Sequence, residues 1–112
     1  MTAPRVKPAD CTDMAEVRRG VDALDDEIVG LIGERFGYMA AAARIKPSRG
    51  AVRDEARKAE VIANAARHAI AAGAPERVIA ALYEQLVEAS IAYELERFDA
   101  RAGCEPGPAP GA

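Results

Sequence analysis

The sequence predicts an all-α protein, three helices per chain with one of them long, assembled as a homodimer. Three observations carry this reading. Alanine is abundant and aromatics make up only 4% of the chain, a composition that suits closely packed helices. Apolar residues recur at helical spacing, and no alternating run suggests a strand. Proline falls only at the two ends and, beside glycine, at two internal points, "KPSRG" and "GAP", which leaves three proline-free segments between them.

In the first segment, Met14, Val21, Ile28, Arg35 and Ala42 form one heptad column and Val17, Leu24, Leu31, Tyr38 and Ile45 the next. This pattern predicts a helix over residues 13–43. Asp13 is placed to cap it, and Glu16 three residues on completes a variant of the capping box. Such a helix is roughly 45 Å long, well beyond the roughly 30 Å diameter of a small domain. A chain of 112 residues cannot cover it, so two chains are expected to pack their long helices together.

"KPSRGAVR" then breaks the helix, and Asp54 and Glu55 supply the acidic first turn of a second one, expected over 53–72. Its apolar face reads Ala59, Ile62, Ala66, Ala69 and Ile70, and Gly73 stops it. Pro75 suits the first turn of a third helix over 75–100, with an inward stripe of Ile79, Leu82, Leu86, Ala89 and Tyr93. The expected organisation is a flexible segment at 1–10, one helical domain at 11–100 and a disordered tail at 101–112.

Composition excludes several classes of function. A pI near 5.2 argues against nucleic acid as a partner. No apolar run approaches the roughly 20 residues needed to span a bilayer, and no charged and then apolar leader is visible. Cys11 and Cys104 lie near opposite ends, so the reading is a cytoplasmic protein with reduced thiols. A single histidine, His68, and two distant cysteines give no metal-ligand spacing, and His68 is read as an exposed structural residue. There is no glycine-rich phosphate cradle and no set that activates a covalent nucleophile. Chemistry, if present, must come from positioned charges.

Those charges are unevenly placed. The chain carries a net charge of −3, yet "ARIKPSRGAVRDEARKAE" holds six cations (Arg44, Lys46, Arg49, Arg53, Arg57 and Lys58) beside three acids. Arg35 occupies a core column of the long helix, and a buried guanidinium is costly unless something negative meets it. It can snorkel outward or pair with an acid such as Asp25 or Glu94, or it can grip an anionic ligand. Arg18 and Lys46 fall in the adjoining column, but Arg18 lies about 25 Å along the helix from Arg35. In an antiparallel dimer the partner's Arg18 can approach Arg35 and complete an anion site. Ser90 and Glu94, four apart on the third helix, either bond between helices or line a pocket.

Taken in order, "PADCTDMAEVRRGVDALDDEIVGLIGERFGYMAAAARIK", "VRDEAR" and "LYEQLVEASIAYE" resemble the all-helical chorismate mutases, and "DCTDM" with the tyrosine of "FGYMAAAARIK" resembles their isochorismate pyruvate lyase branch. The resemblance covers residues 8–98. It implies an intertwined dimer with two pockets, each built mostly by one chain, and a small dicarboxylate substrate, chorismate or isochorismate. By the same resemblance, Arg18 is the arginine that crosses to the partner's pocket and Arg35 the one supplied in cis, both gripping carboxylates. Lys46 is the lysine that contacts a carboxylate and the ether oxygen, and Glu94 stands where a Gln or Glu bonds that oxygen. Asp54, Arg57 and Ser90 match secondary positions around the ring hydroxyl and carboxylates, and Lys46, Arg53 and Arg57 belong to a lid.

The implied activity is the rearrangement of chorismate to prephenate, with isochorismate pyruvate lyase activity as the alternative and dual activity between them. Neither requires a cofactor. The ether C–O bond breaks and negative charge grows on its oxygen, so holding a compact conformer and aiming donors at that oxygen suffices. An ionised carboxylate cannot donate, so Glu94 must carry a proton to help, and turnover is expected to decline as pH rises. Two departures pull in opposite directions: Lys58 replaces the glutamate typical of mutases, and Glu94 replaces the glutamine of the lyase branch. A non-catalytic helical dimer that binds a carboxylate, and a coiled-coil adaptor, are the competing classes. The first gives no reason to keep Arg18, Arg35, Lys46 and Arg57 together, and the second leaves the cationic break unexplained.

Overall fold

A computed structural model describes residues 5–104. It is all-helical: a 3₁₀ turn at Pro8–Asp10, α1 at Met14–Ile45, a 3₁₀ turn at Arg49–Ala51, α2 at Glu55–Ala72 and α3 at Glu76–Cys104. The chain divides into two compact units, the first ending at Gly37 and the second beginning at Tyr38. The thiol of Cys104, and residues 1–4 and 105–112 of the expected flexible head and disordered tail, lie outside the described residues.

In the first unit the cap of α1 forms as the sequence anticipates, with one shift. The Glu16 N–H donates to Asp13 Oδ1 at 2.8 Å, while the Glu16 carboxylate reaches back to the N–H of Thr12 at 2.8 Å and its hydroxyl at 3.1 Å. Those donors hold the Glu16 carboxyl below its ordinary range, the backbone bond from Thr12 contributing most. Arg5, from the segment before α1, pairs at 3.3 Å with Glu27 in the middle of that helix. Met14, Val17, Val21, Leu24, Ile28 and Leu31, the apolar heptad residues of this unit, are exposed.

The second unit is a helical hairpin closed by a short loop. Gly73 takes the left-handed conformation, φ 72° and ψ 22°, and its N–H bonds the carbonyls of Ala69 and Ile70. The Ala74 N–H then bonds Ala69 O at 2.8 Å, the pattern of a Schellman-type helix end that favours glycine. The core consists of Val52, Val87 and Ile91, with Val61, Ile62, Leu95 and Phe98 packed against it. Val52, from the break between α1 and α2, thus plugs the hairpin and fixes the connecting segment to it.

Three expectations are corrected here. On α3 the buried positions are Val87, Ser90, Ile91 and Glu94, whereas Leu82 is 59% exposed, so the inward face lies one residue on from the expected stripe. The helix carries apolar residues on both faces, and periodicity alone cannot choose between them. On α2, Ala65 and Ala69 are buried while Ile70 is 63% exposed. The end of α3 also differs: it runs to Cys104, four residues past the expected stop and into the segment read as tail. Arg101 anchors that last turn, as described below.

Candidate active site

The second unit brings Lys46, Ser90 and Glu94 to one place. Lys46 follows the last residue of α1, and its N–H still bonds Ala42 O at 2.9 Å, so helical geometry sets where its side chain starts. Its Nζ lies 2.7 Å from Oε2 of Glu94 and donates to Val52 O at 3.3 Å. The burial of Val52 therefore delivers the carbonyl that holds the ammonium. Glu94 is 4% exposed and Ser90 3%. One turn apart on the buried face of α3, they are the polar members of an otherwise apolar stripe. The Ser90 hydroxyl donates to Leu86 O at 2.7 Å, the i−4 bond within its own helix.

The Lys46–Glu94 contact is short but not directional. Oε2 is buried and takes no hydrogen bond of proper geometry from the described residues, although the ammonium stands 2.7 Å away. The attraction is thus one of charge to charge, and the oxygen keeps an unused hydrogen-bonding capacity. Buried polar atoms are seldom left so, and those that are tend to have a role beyond packing.

Asp54 and Arg57 meet at the start of α2, where Asp54 is the N-cap and accepts from the Arg57 N–H at 3.0 Å. The Arg57 guanidinium pairs with Glu60 at 2.7 Å, both side chains largely exposed. Arg18 and Arg35 belong to the first unit; Arg18 is exposed and Arg35 half-buried. Their separation of 17 positions along one helix is about 25 Å, so one chain does not bring these two arginines together. His68 is exposed. Among the described residues no group of three His, Cys, Asp or Glu could hold a metal, and no helix is long and apolar enough to cross a membrane.

The cationic break finds its counter-charges on α3. Arg49 bonds Asp99 through two contacts of 2.9 and 3.3 Å. Arg53 makes a fork on Glu88 at 2.8 and 3.1 Å, and Lys58 sits 2.7 Å from both Glu84 and Glu88. Hydrogen bonds from Arg53 first, and from Lys58 second, push the Glu88 carboxyl down to about 2. Glu88 likewise holds the Arg53 guanidinium more firmly protonated, and Glu84, with Glu88 next, raises the Lys58 ammonium. These partners escaped the sequence reading, though a signal existed: Glu84 and Glu88 are four apart on one helix face and match two cations at the start of another.

Arg101 was also missed, because its place was read as tail. Its Nη1 donates to the carbonyls of Ala43 at 2.8 Å, Arg44 at 3.1 Å and Lys46 at 3.0 Å. Its guanidinium lies over the Phe98 ring, 4.0 Å from the centroid, a cation–π contact that fixes the plane of the fork.

The fold is that of an all-helical protein in which a lysine ammonium meets a buried carboxylate on α3. The chain belongs to the chorismate mutase type II family, whose sequence profile matches residues 17–95, and this places it among enzymes of chorismate mutase type. It is also similar to the isochorismate pyruvate lyase of Pseudomonas aeruginosa, 33% identical over 89 residues that make up 80% of this chain and 88% of that protein.

Proposed function

We propose that the protein catalyses the [3,3] rearrangement of chorismate to prephenate, as a homodimer with two equivalent pockets. The observation that carries the reading is the ammonium of Lys46, held 2.7 Å from a nearly buried Glu94 whose Oε2 accepts no directed hydrogen bond from the described residues. In the reaction the ether C–O bond breaks while a C–C bond forms between the pyruvyl carbon and the ring. Negative charge collects on the ether oxygen at the transition state. Lys46 donates to that oxygen from one side, and Glu94, ionised in its pair with Lys46, takes up a proton as the substrate's negative charge enters the site and donates from the other. Such preorganised donors act only where charge develops, which raises kcat and not merely affinity.

Arg35, with the partner subunit's Arg18, grips the substrate carboxylates, a task for which planar guanidinium forks are suited. Asp54, Arg57 and Ser90 surround the ring hydroxyl and the remaining carboxylate. The dimer is supported by the exposed apolar column of α1, from Met14 through Leu31, which a second long helix would cover.

A second reading, pyruvate elimination from isochorismate, is favoured by the similarity to the Pseudomonas aeruginosa lyase. The same residues hold the substrate while a ring hydrogen moves to the departing enolpyruvyl carbon, the C–O bond breaks, and salicylate and pyruvate leave. The test supplies the purified protein with each substrate separately, following chorismate loss by absorbance and salicylate by fluorescence. Prephenate formation without salicylate is the expected result. Salicylate at the higher kcat/KM would transfer the assignment to the lyase, and a folded dimer silent on both would leave a ligand-binding regulator.

A further inference from the structure

We propose that Arg101 is a positioning residue for Lys46, acting from α3 on the last turn of α1; the inference rests on the reading of Lys46 as the donor to the ether oxygen. The last carbonyls of a helix have no intrahelical partner. In α1, those of Ala43 and Arg44, with that of Lys46 just beyond, are collected by a single nitrogen, Nη1 of Arg101, at 2.8, 3.1 and 3.0 Å. A solvated helix end would leave such groups to water and fray. Here they are tied to a guanidinium seated on Phe98, itself packed against the Val52–Val87–Ile91 core.

Lys46 is consequently held at both ends. Arg101 fixes its carbonyl, and Glu94 and Val52 O hold its ammonium. Both the arginine and the glutamate belong to α3, seven positions or two turns apart, so one rigid element sets the start and the end of the lysine side chain. A long flexible side chain loses rotamer freedom when ordered. A backbone already fixed confines that cost to the side chain. Without Arg101, the end of α1 is free to open, and the ammonium samples positions from which it no longer meets the ether oxygen.

Arg49 provides a control. It also links the α1–α2 connection to α3, through Asp99, but touches none of the α1 carbonyls that Arg101 holds. The experiment compares wild type, R101A, R101K and R49Q, all checked for helical content, by hydrogen exchange at the Lys46 amide and by steady-state kinetics on chorismate and isochorismate. In R101A the Lys46 amide exchanges about tenfold faster, and kcat falls about tenfold while KM changes by less than about threefold, because the lost interaction belongs to the transition state. R101K, which keeps a charged donor, recovers most of both, and R49Q retains kcat.

Unchanged exchange at Lys46 in R101A overturns the proposal whatever the activity. Faster exchange with an unchanged kcat overturns it as well, leaving Arg101 a staple for the helix end alone. A wild type silent on both substrates overturns the assigned reaction and with it the catalytic share of Arg101, while the exchange still judges the hold on Lys46. Should R101A lose its helical signal, R101Q carries the same comparison.

Discussion

Glu94 sets a chemical condition on its own site. Its side chain is buried against Lys46, and a carboxylate that accepts cannot also donate to an ether oxygen. In the proposed rearrangement Glu94 therefore acts as a donor only with a proton on it, and turnover is expected to fall as pH rises. E94Q supplies an amide donor at every pH, so its kcat profile should be flatter, with much of the alkaline decline gone. A profile that declines as steeply in E94Q as in wild type would sink the assignment. Ser90 illustrates a different economy at the same scale: its hydroxyl donates to Leu86 O within its own helix, which offsets the cost of placing it in the apolar stripe.

Between elements, ion pairs fix the start of α2 against α3. Arg53, Lys58 and Glu88 form one network, and the carboxyl of Glu88 is lowered from an ordinary 4.5 to about 2. The sign follows from linkage. A group whose folded value is depressed stabilises the fold above its ordinary value, and that contribution is lost as pH falls toward the folded one. Stability should therefore decline between about pH 4.5 and pH 2, partly through Glu88. The pairs are exposed enough to water to be modest and screened by salt. Urea unfolding midpoints followed from pH 5 to pH 2 should slope less steeply for E88Q than for wild type, most clearly at low ionic strength. Equal slopes would remove Glu88 from the account. The lysine and arginine of the network carry raised values, so their contributions persist through neutral pH and disappear only on strong alkalinisation.

At the scale of the whole molecule, Arg35 separates an enzyme from a scaffold. It stands in an otherwise apolar column of α1, and in a pure scaffold its replacement by leucine should be neutral or stabilise the seam. In the proposed enzyme Arg35→Leu removes a carboxylate fork, and kcat/KM should fall by roughly 10²-fold or more. Sedimentation of the variant should still report a dimer. Retained turnover in a more stable dimer would favour the scaffold, and loss of the dimer would make Arg35 part of the seam itself.

Much of this was legible in the chain before any coordinates. Three helices, their breaks at "KPSRG" and "GAP", the cap of α1 and the stop at Gly73 follow from local rules that act within a few residues, and such rules need no knowledge of the rest of the fold. The residue types of the proposed site were equally visible, since a cation in an apolar column and a Ser–Glu pair on one helix face break a pattern that can be counted. What tertiary structure alone decided is which side of α3 faces inward. Leu82 and Val87 are both apolar, and only the packing of Val52 with the pairing of Glu84 and Glu88 to the start of α2 selects the second. That choice buries Glu94 beside Lys46 and carries Arg101 to the end of α1. These partners are separated by some 50 positions, and sequence spacing cannot fix such a meeting because it depends on the register between packed helices.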